Sequence, residues 1–223
     1  VNERLLGVPI WLWIAFVGFA NLMLAFPEID LAVSGWFYRQ GGDFSLRERW
    51  WVRLAYHSVS WLMIGVNLGL IGLWLYNRRS GRRLLDFTGR KLALLLCLLA
   101  LVPGLLVNSV LKEHWGRARP VQTAELGGHR QFSPAFVRSD QGGGAFSSGH
   151  VAAAAYLVAV AAVLSNGRLV WIALALCYTL LIALVRVGAG GHWPSDAVTS
   201  MFLVGIGWLM LSRWFCDGDW KRC

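Results

Sequence analysis

The residues best equipped for chemistry lie in three short stretches. In Arg186-Val187-Gly188-Ala189-Gly190-Gly191-His192-Trp193-Pro194-Ser195-Asp196, His192 and Asp196 are four apart, so they face each other across one helical turn. A carboxylate there would fix the imidazole tautomer and raise its nucleophilicity; the same spacing also suits a purely structural His–Asp contact. The glycines between Arg186 and His192 allow a close wrap around a ligand. In Phe146-Ser147-Ser148-Gly149-His150, Ser147 or Ser148 can cap the alanine-rich helix that follows. The first-turn amides favour an anion, and Gly149 lets a ligand approach the backbone; a plain cap with a buried histidine fits as well. Lys112 and Arg119 are seven residues apart and return to one face of a continued helix. With Arg186 they either stay solvated at a surface or clamp a dianion such as a phosphate.

Six apolar segments must position these groups, over approximately 8–27, 54–76, 92–111, 149–165, 169–186 and 196–212. Crossing a hydrocarbon layer of about 30 Å takes roughly 17–25 helical residues, and backbone in lipid must be hydrogen-bonded internally. Hydrophobic residues make up 57% of the 223 and charged ones 15%, against about 25% charged in soluble domains. The expected fold is therefore all-α: a single domain over 1–223, a polytopic membrane protein with six transmembrane helices in a compact bundle. Gly65, Gly69 and Gly72 in the second helix, and Gly205 and Gly207 in the sixth, are expected to permit close helix approach. Cys97 and Cys177 read as small buried hydrophobes inside apolar runs; Cys216 and Cys223 in the polar tail fit no common zinc spacing.

Charge sets the orientation. The loop 77–91 holds Arg78, Arg79, Arg82, Arg83, Arg90 and Lys91, which marks it as cytoplasmic. Arg4, the turn at 165–168 and the tail with Arg213, Lys221 and Arg222 fall on the same side, so both termini are cytoplasmic. All three chemical stretches then fall on the opposite side, in or beside a 112–148 loop and a short 187–195 turn. Residues 28–53, with Trp36, Phe37, Tyr38, Trp50 and Trp51, are expected to form an interfacial amphipathic segment. A net charge of +9 would suggest nucleic acid for a soluble protein; here membrane topology and an anionic ligand account for it, and nucleic acid is not expected.

The stretches resemble the type 2 phosphatidic acid phosphatase superfamily, PAP2. Lys112-Glu113-His114-Trp115-Gly116-Arg117-Ala118-Arg119-Pro120 is similar to its first motif. Ser147-Ser148-Gly149-His150 is similar to the second, with Ser147 where proline is usual. Arg186, His192 and Asp196 are similar to the third, with Val185 where serine is frequent. The resemblance implies a lipid phosphatase in which His192 attacks phosphorus to form a phosphohistidine and Asp196 orients it. His150 would protonate the leaving oxygen and then activate water. Lys112, Arg119, Arg186, Ser148 and the Gly149 amide would hold the phosphoryl oxygens. It implies no cofactor and no metal, in keeping with the lack of a carboxylate cluster suited to Mg²⁺.

Gly127-Gly128 and Arg130-Gln131-Phe132-Ser133-Pro134-Ala135-Phe136 are similar, more weakly, to members acting on lipid A. That would put the protein in a Gram-negative inner membrane with its site facing the periplasm. An undecaprenyl diphosphate phosphatase, a phosphatidylglycerophosphate phosphatase and a lipid-to-lipid phosphotransferase share the same motifs, so membrane phospholipid, lipid A and prenyl diphosphate all stand as substrates. A transporter is the distant alternative, without the broken inverted repeats that would mark one.

Overall fold

A computed structural model of the chain describes residues 3–39 and 42–217. Seven helices carry the fold: α1 (Ile10–Ala25), α2 (Glu28–Gly35), α3 (Trp50–Ser80), α4 (Gly89–His114), α5 (Gly149–Leu164), α6 (Leu169–Gly188) and α7 (Pro194–Cys216). Two short antiparallel ribbons join them, Arg4–Leu5 with Val8–Pro9 and Tyr38–Arg39 with Asp43–Phe44. The chain is an all-α polytopic membrane protein.

Four helices, α3, α4, α6 and α7, are long and apolar enough to cross a membrane, or five spans result if α1 and α2 count as one bent by 82°. This corrects the expectation of six. Helices α1 and α5 have 16 residues each, about 24 Å of rise, which falls short of a layer of about 30 Å. Pro27 separates α1 from α2, whose first turn carries Glu28 and Asp30.

Short α5 is the centre of the bundle. Val151, Ala152, Ala154, Ala155, Tyr156, Ala159 and Val160 are all buried, and α5 packs against α3, α4, α6 and α7. Its alanines make that possible, because small side chains let neighbours close in on every side. The glycines expected to do the same do not: side chains at Gly65, Gly69, Gly72 or Gly205 would meet open space, and only Gly207 is packed, against Val102. Cys97 is half-buried and Cys177 exposed, so the buried positions expected for them are also corrected. Cys216 is disulfide-bonded; Cys223, Lys221 and Arg222 lie outside the described residues.

The polar loops sort to the two ends. Leu85 and Asp86 share a cavity with Ser165, Asn166 and Arg168, which puts the basic 77–91 loop beside the 165–168 turn. Gly7 packs on Arg213. The chemical stretches gather at the other end of α4, α5 and α6, where Phe44, Leu126, Ala145 and Trp193 form a small buried cluster. Asp30 and Ser34 of α2 are buried as well.

Candidate active site

The last turn of α4 delivers Lys112. The helix then stops, because Gly116 turns at φ +71° where a side chain would collide with the Ser139 carbonyl. Arg119 arrives on extended backbone ahead of Pro120. Lys112 and Arg119 therefore meet from a helix and a loop, not on one helix face as their spacing implied. Both lie near enough to Arg186 for the three charges to interact.

Ser148 occupies the cap position of α5, but its hydroxyl makes no capping bond. The Ser147 and Ser148 hydroxyls and Arg186 Nε are buried with no hydrogen-bond partner, a state that costs about 1–3 kcal/mol per group in water-free surroundings. Ser148 Oγ, Arg186 Nε and the free first-turn amides of α5 are all groups that a phosphoryl oxygen can satisfy. Of the glycines expected to admit a ligand, Gly149 and Gly191 also make close contacts within the protein. A side chain at Gly149 would collide with Asn108 Oδ1, so this glycine lets α4 and α5 touch; a side chain at Gly191 would occupy the place of the Arg186 guanidinium.

His150 lies in the first turn of α5, where the charges of Arg186, His192, Lys112 and His57 reach it. Its ring stacks on Tyr56, centroids 4.2 Å apart, and Arg186 Cζ sits 5.0 Å from the centre of the same Tyr56 ring. Tyr56 thus links His150 to Arg186. Sequence reasoning passed over it, since one tyrosine in an aromatic-rich segment carries no distinguishing signal.

His192 is buried just ahead of α7, with Nδ1 2.7 Å from the Ala145 carbonyl. Asp196 Oδ2 is 3.8 Å from Nδ1, beyond hydrogen-bond range. The expected His192–Asp196 hydrogen bond is thus replaced by one to backbone. The carboxylate is taken up elsewhere. Oδ2 accepts the Trp193 amide at 2.8 Å, as an acidic residue three positions into a helix often does, and Oδ1 accepts Arg117 Nη1 at 2.6 Å.

Arg117 itself is fully buried and reaches Asp30 of α2 at 2.7 Å through Nη2 and the Ser133 carbonyl at 2.8 Å through Nε. Ser195 closes the network: its hydroxyl donates to Asp30 and its amide reaches Asp30 Oδ1 at 2.9 Å. Two carboxylates thus share one guanidinium next to the histidine.

A carbonyl only accepts, so the neutral His192 ring carries its proton on Nδ1 and its lone pair on Nε2. Burial pushes the imidazole pKa below its ordinary value; Arg186 pushes the same way, while Asp196 and the Ala145 carbonyl oppose it. The result is a neutral imidazole near the Arg186 charge, with its lone pair on Nε2.

A family model described as the PAP2 superfamily matches residues 91–220. A lipid A 4'-phosphatase of Rhizobium etli is 28% identical over 222 residues, covering 89% of this chain and 80% of that protein. One of Rhizobium leguminosarum is 29% identical, covering 89% and 88%. One of Francisella tularensis subsp. novicida is 30% identical over 205 residues, covering 86% of each chain. No solved structure matches significantly.

Proposed function

Because the chain belongs to the PAP2 superfamily, we propose that it hydrolyses a phosphate ester of lipid A through a phosphohistidine on His192, without a metal. The observation that carries the chemistry is the bond from His192 Nδ1 to the Ala145 carbonyl, which leaves Nε2 as the ring's lone pair. The substrate reading rests on relatives that bear the name lipid A 4'-phosphatase.

Nε2 attacks phosphorus, the N–P bond forms, and the P–O bond to the lipid breaks as His150 gives its proton to the leaving oxygen. His150 then takes a proton from water, whose oxygen attacks phosphorus, releasing inorganic phosphate and restoring His192. The phosphorylated ring is cationic while Nδ1 keeps its proton, and the Ala145 carbonyl with the Asp196 carboxylate 3.8 Å away offsets that charge. Lys112, Arg119, Arg186, Ser148 and the first amides of α5 hold the phosphoryl oxygens. These cations supply the field that a divalent ion would otherwise give. Among the described residues no group of three or more His, Cys, Asp or Glu is arranged for a metal.

In the same reading the long apolar helices cross a bacterial inner membrane. The basic loops face the cytoplasm and the site faces the periplasm, in accord with the positive-inside bias of the 77–91 loop.

The test is phosphate release by purified protein in detergent with EDTA present, from lipid A, a prenyl diphosphate and phosphatidylglycerophosphate. Release from lipid A should exceed the others and survive chelation. Turnover of the others alone removes the substrate assignment; loss restored only by added metal removes the chemistry.

A further inference from the structure

Against Tyr56, whose ring stacks on His150, lies an open chamber. It has a volume of about 230 Å³ and its wall includes Arg47, Arg53, Tyr56, His57, Arg119 and Arg186. That is several times the roughly 30 Å³ share of one water. Arg119 and Arg186, whose charges also act on Lys112, line its inner part. His150, His192, Lys112 and Ser148 do not line it. The chamber therefore extends from Arg119 and Arg186 outward to α3, away from His150, His192, Lys112 and Ser148.

Its outer wall is cationic beyond what one phosphate requires. Arg53 and His57 are four apart on α3, hence on one helix face, next to the Tyr56 ring that stacks on His150. Arg47 approaches from the loop before α3, with a 3.5 Å pairing to Asp43 in which both side chains are about half exposed. Among the described residues no acidic side chain lies within ion-pair distance of Arg53, Arg119 or Arg186. Arg53 and His57 are exposed at the mouth while Arg119 and Arg186 are half-buried within; like charges along one open cleft repel each other, and a bound anion relieves that repulsion.

We propose that this chamber is a second anion subsite. Arg53 and His57, with Arg47, hold a further negatively charged group, a phosphate or carboxylate on the polar head of the substrate, while the phosphate to be cleaved sits between His192 and His150. The inference rests on the hydrolase reading above and extends it. The preferred substrate carries at least two anionic groups, and Arg53 is a specificity residue rather than a catalytic one.

The test uses two synthetic lipids with a terminal phosphate monoester, identical except that an inner phosphodiester is anionic in one and methylated to a neutral triester in the other. Wild-type protein in neutral detergent should show a kcat/KM about tenfold higher on the anionic lipid, equivalent to about 1.4 kcal/mol. Arg53→Gln should bring the ratio near one, mainly through KM, and Arg53→Lys should restore part of it. A wild-type ratio near one, or an Arg53→Gln loss equal on both lipids, overturns the subsite. The same experiment with phosphatidylglycerol added to the micelles separates sources: if Arg53 serves bulk lipid headgroups, the added lipid lowers KM for both substrates alike, which also overturns it. If wild type hydrolyses neither lipid, the hydrolase reading falls. The subsite is then judged by affinity for the same pair, where the tenfold preference and its loss in Arg53→Gln must still appear.

Discussion

Arg117 Nη1 lies 2.6 Å from Asp196 Oδ1, and neither side chain is exposed to solvent. With Asp30 at 2.7 Å on the other nitrogen, the guanidinium holds two buried carboxylates together. Removing one partner of a buried ion pair leaves an uncompensated charge and costs about 3–5 kcal/mol. Arg117→Ala should therefore unfold at least that much more easily in detergent. Arg117→Lys, which keeps the charge but not the fork that reaches both acids, should fall between it and wild type. A loss under about 1 kcal/mol for Arg117→Ala would mean that the two carboxylates tolerate each other without it.

Asp196→Asn separates two ways of orienting a histidine. Where a carboxylate alone fixes the tautomer, its amide variant costs about 10⁴-fold in kcat. Here the Ala145 carbonyl fixes it, 2.7 Å from Nδ1. The Asn variant should lose well under 10⁴-fold, in kcat more than in KM, since the Ala145 carbonyl stays while the charge offsetting the phosphorylated ring goes; it also removes one of the two carboxylates paired with Arg117, which lowers stability. Steady-state kinetics alongside a thermal melt will show this; a full 10⁴-fold loss in a protein of near-native stability contradicts the backbone assignment.

The pH response follows from the burial of His192, which lowers its folded pKa below the ordinary value of about 6.5. The unfolded chain binds a proton near that pH while the folded chain still refuses it. Stability should thus be level above about pH 6.5 and fall as pH drops through the window below it. His192→Gln should flatten that part of the curve. Activity shares the same group: the acid limb of kcat/KM should lie below about 6.5, once the substrate's own second ionisation near 6 is divided out. A limb above 6.5 would contradict a nucleophile held neutral by burial.

Tyr56 should matter through its ring. Tyr56→Phe keeps the stack on His150 and the face offered to Arg186, and should retain most activity. Tyr56→Leu loses an aromatic stack and a cation–π contact, each on the order of 0.5–2 kcal/mol. Its kcat/KM should fall by about tenfold or more. Equal losses in both variants would shift the role to the hydroxyl.

The charged members of the site were legible because chemistry restricts them to few residue types at fixed spacing. Lys112, Arg119, Arg186, Ser148, His150, His192 and Asp196 could all be named from sequence. What spacing could not supply was partners. Asp30 meets Ser195 across 165 positions and Arg117 meets Asp196 across 79; such pairings exist only once α2 bends back over the bundle. The partner of His192 is a backbone carbonyl, which every residue possesses. Helix existence was readable from apolar runs, whereas the number of crossings was not. α5 is apolar enough to look like a span, but it runs only from Gly149 to Leu164.

The proposed division of labour between the histidines has a direct kinetic signature. His192 has its lone pair on Nε2 and a carboxylate 3.8 Å from Nδ1, the arrangement of a nucleophile that becomes cationic. His150 stacks on Tyr56 and has no acidic partner within ion-pair distance among the described residues; in the proposed reading it exchanges protons with the leaving oxygen and with water. Rapid quench with a ³²P-labelled substrate should therefore trap acid-labile label on wild type and none on His192→Ala. Loss of a general acid costs typically about 10²–10⁴-fold, and that cost shrinks when the leaving oxygen is already acidic. With an aryl phosphate, His150→Ala should still acquire label, and should then keep it, because water lacks its base in the second step. Label on His192→Ala but not on His150→Ala would exchange the two roles. Label on neither protein nor on wild type, with turnover intact and the quench faster than a single cycle, would replace the covalent path with direct attack by water.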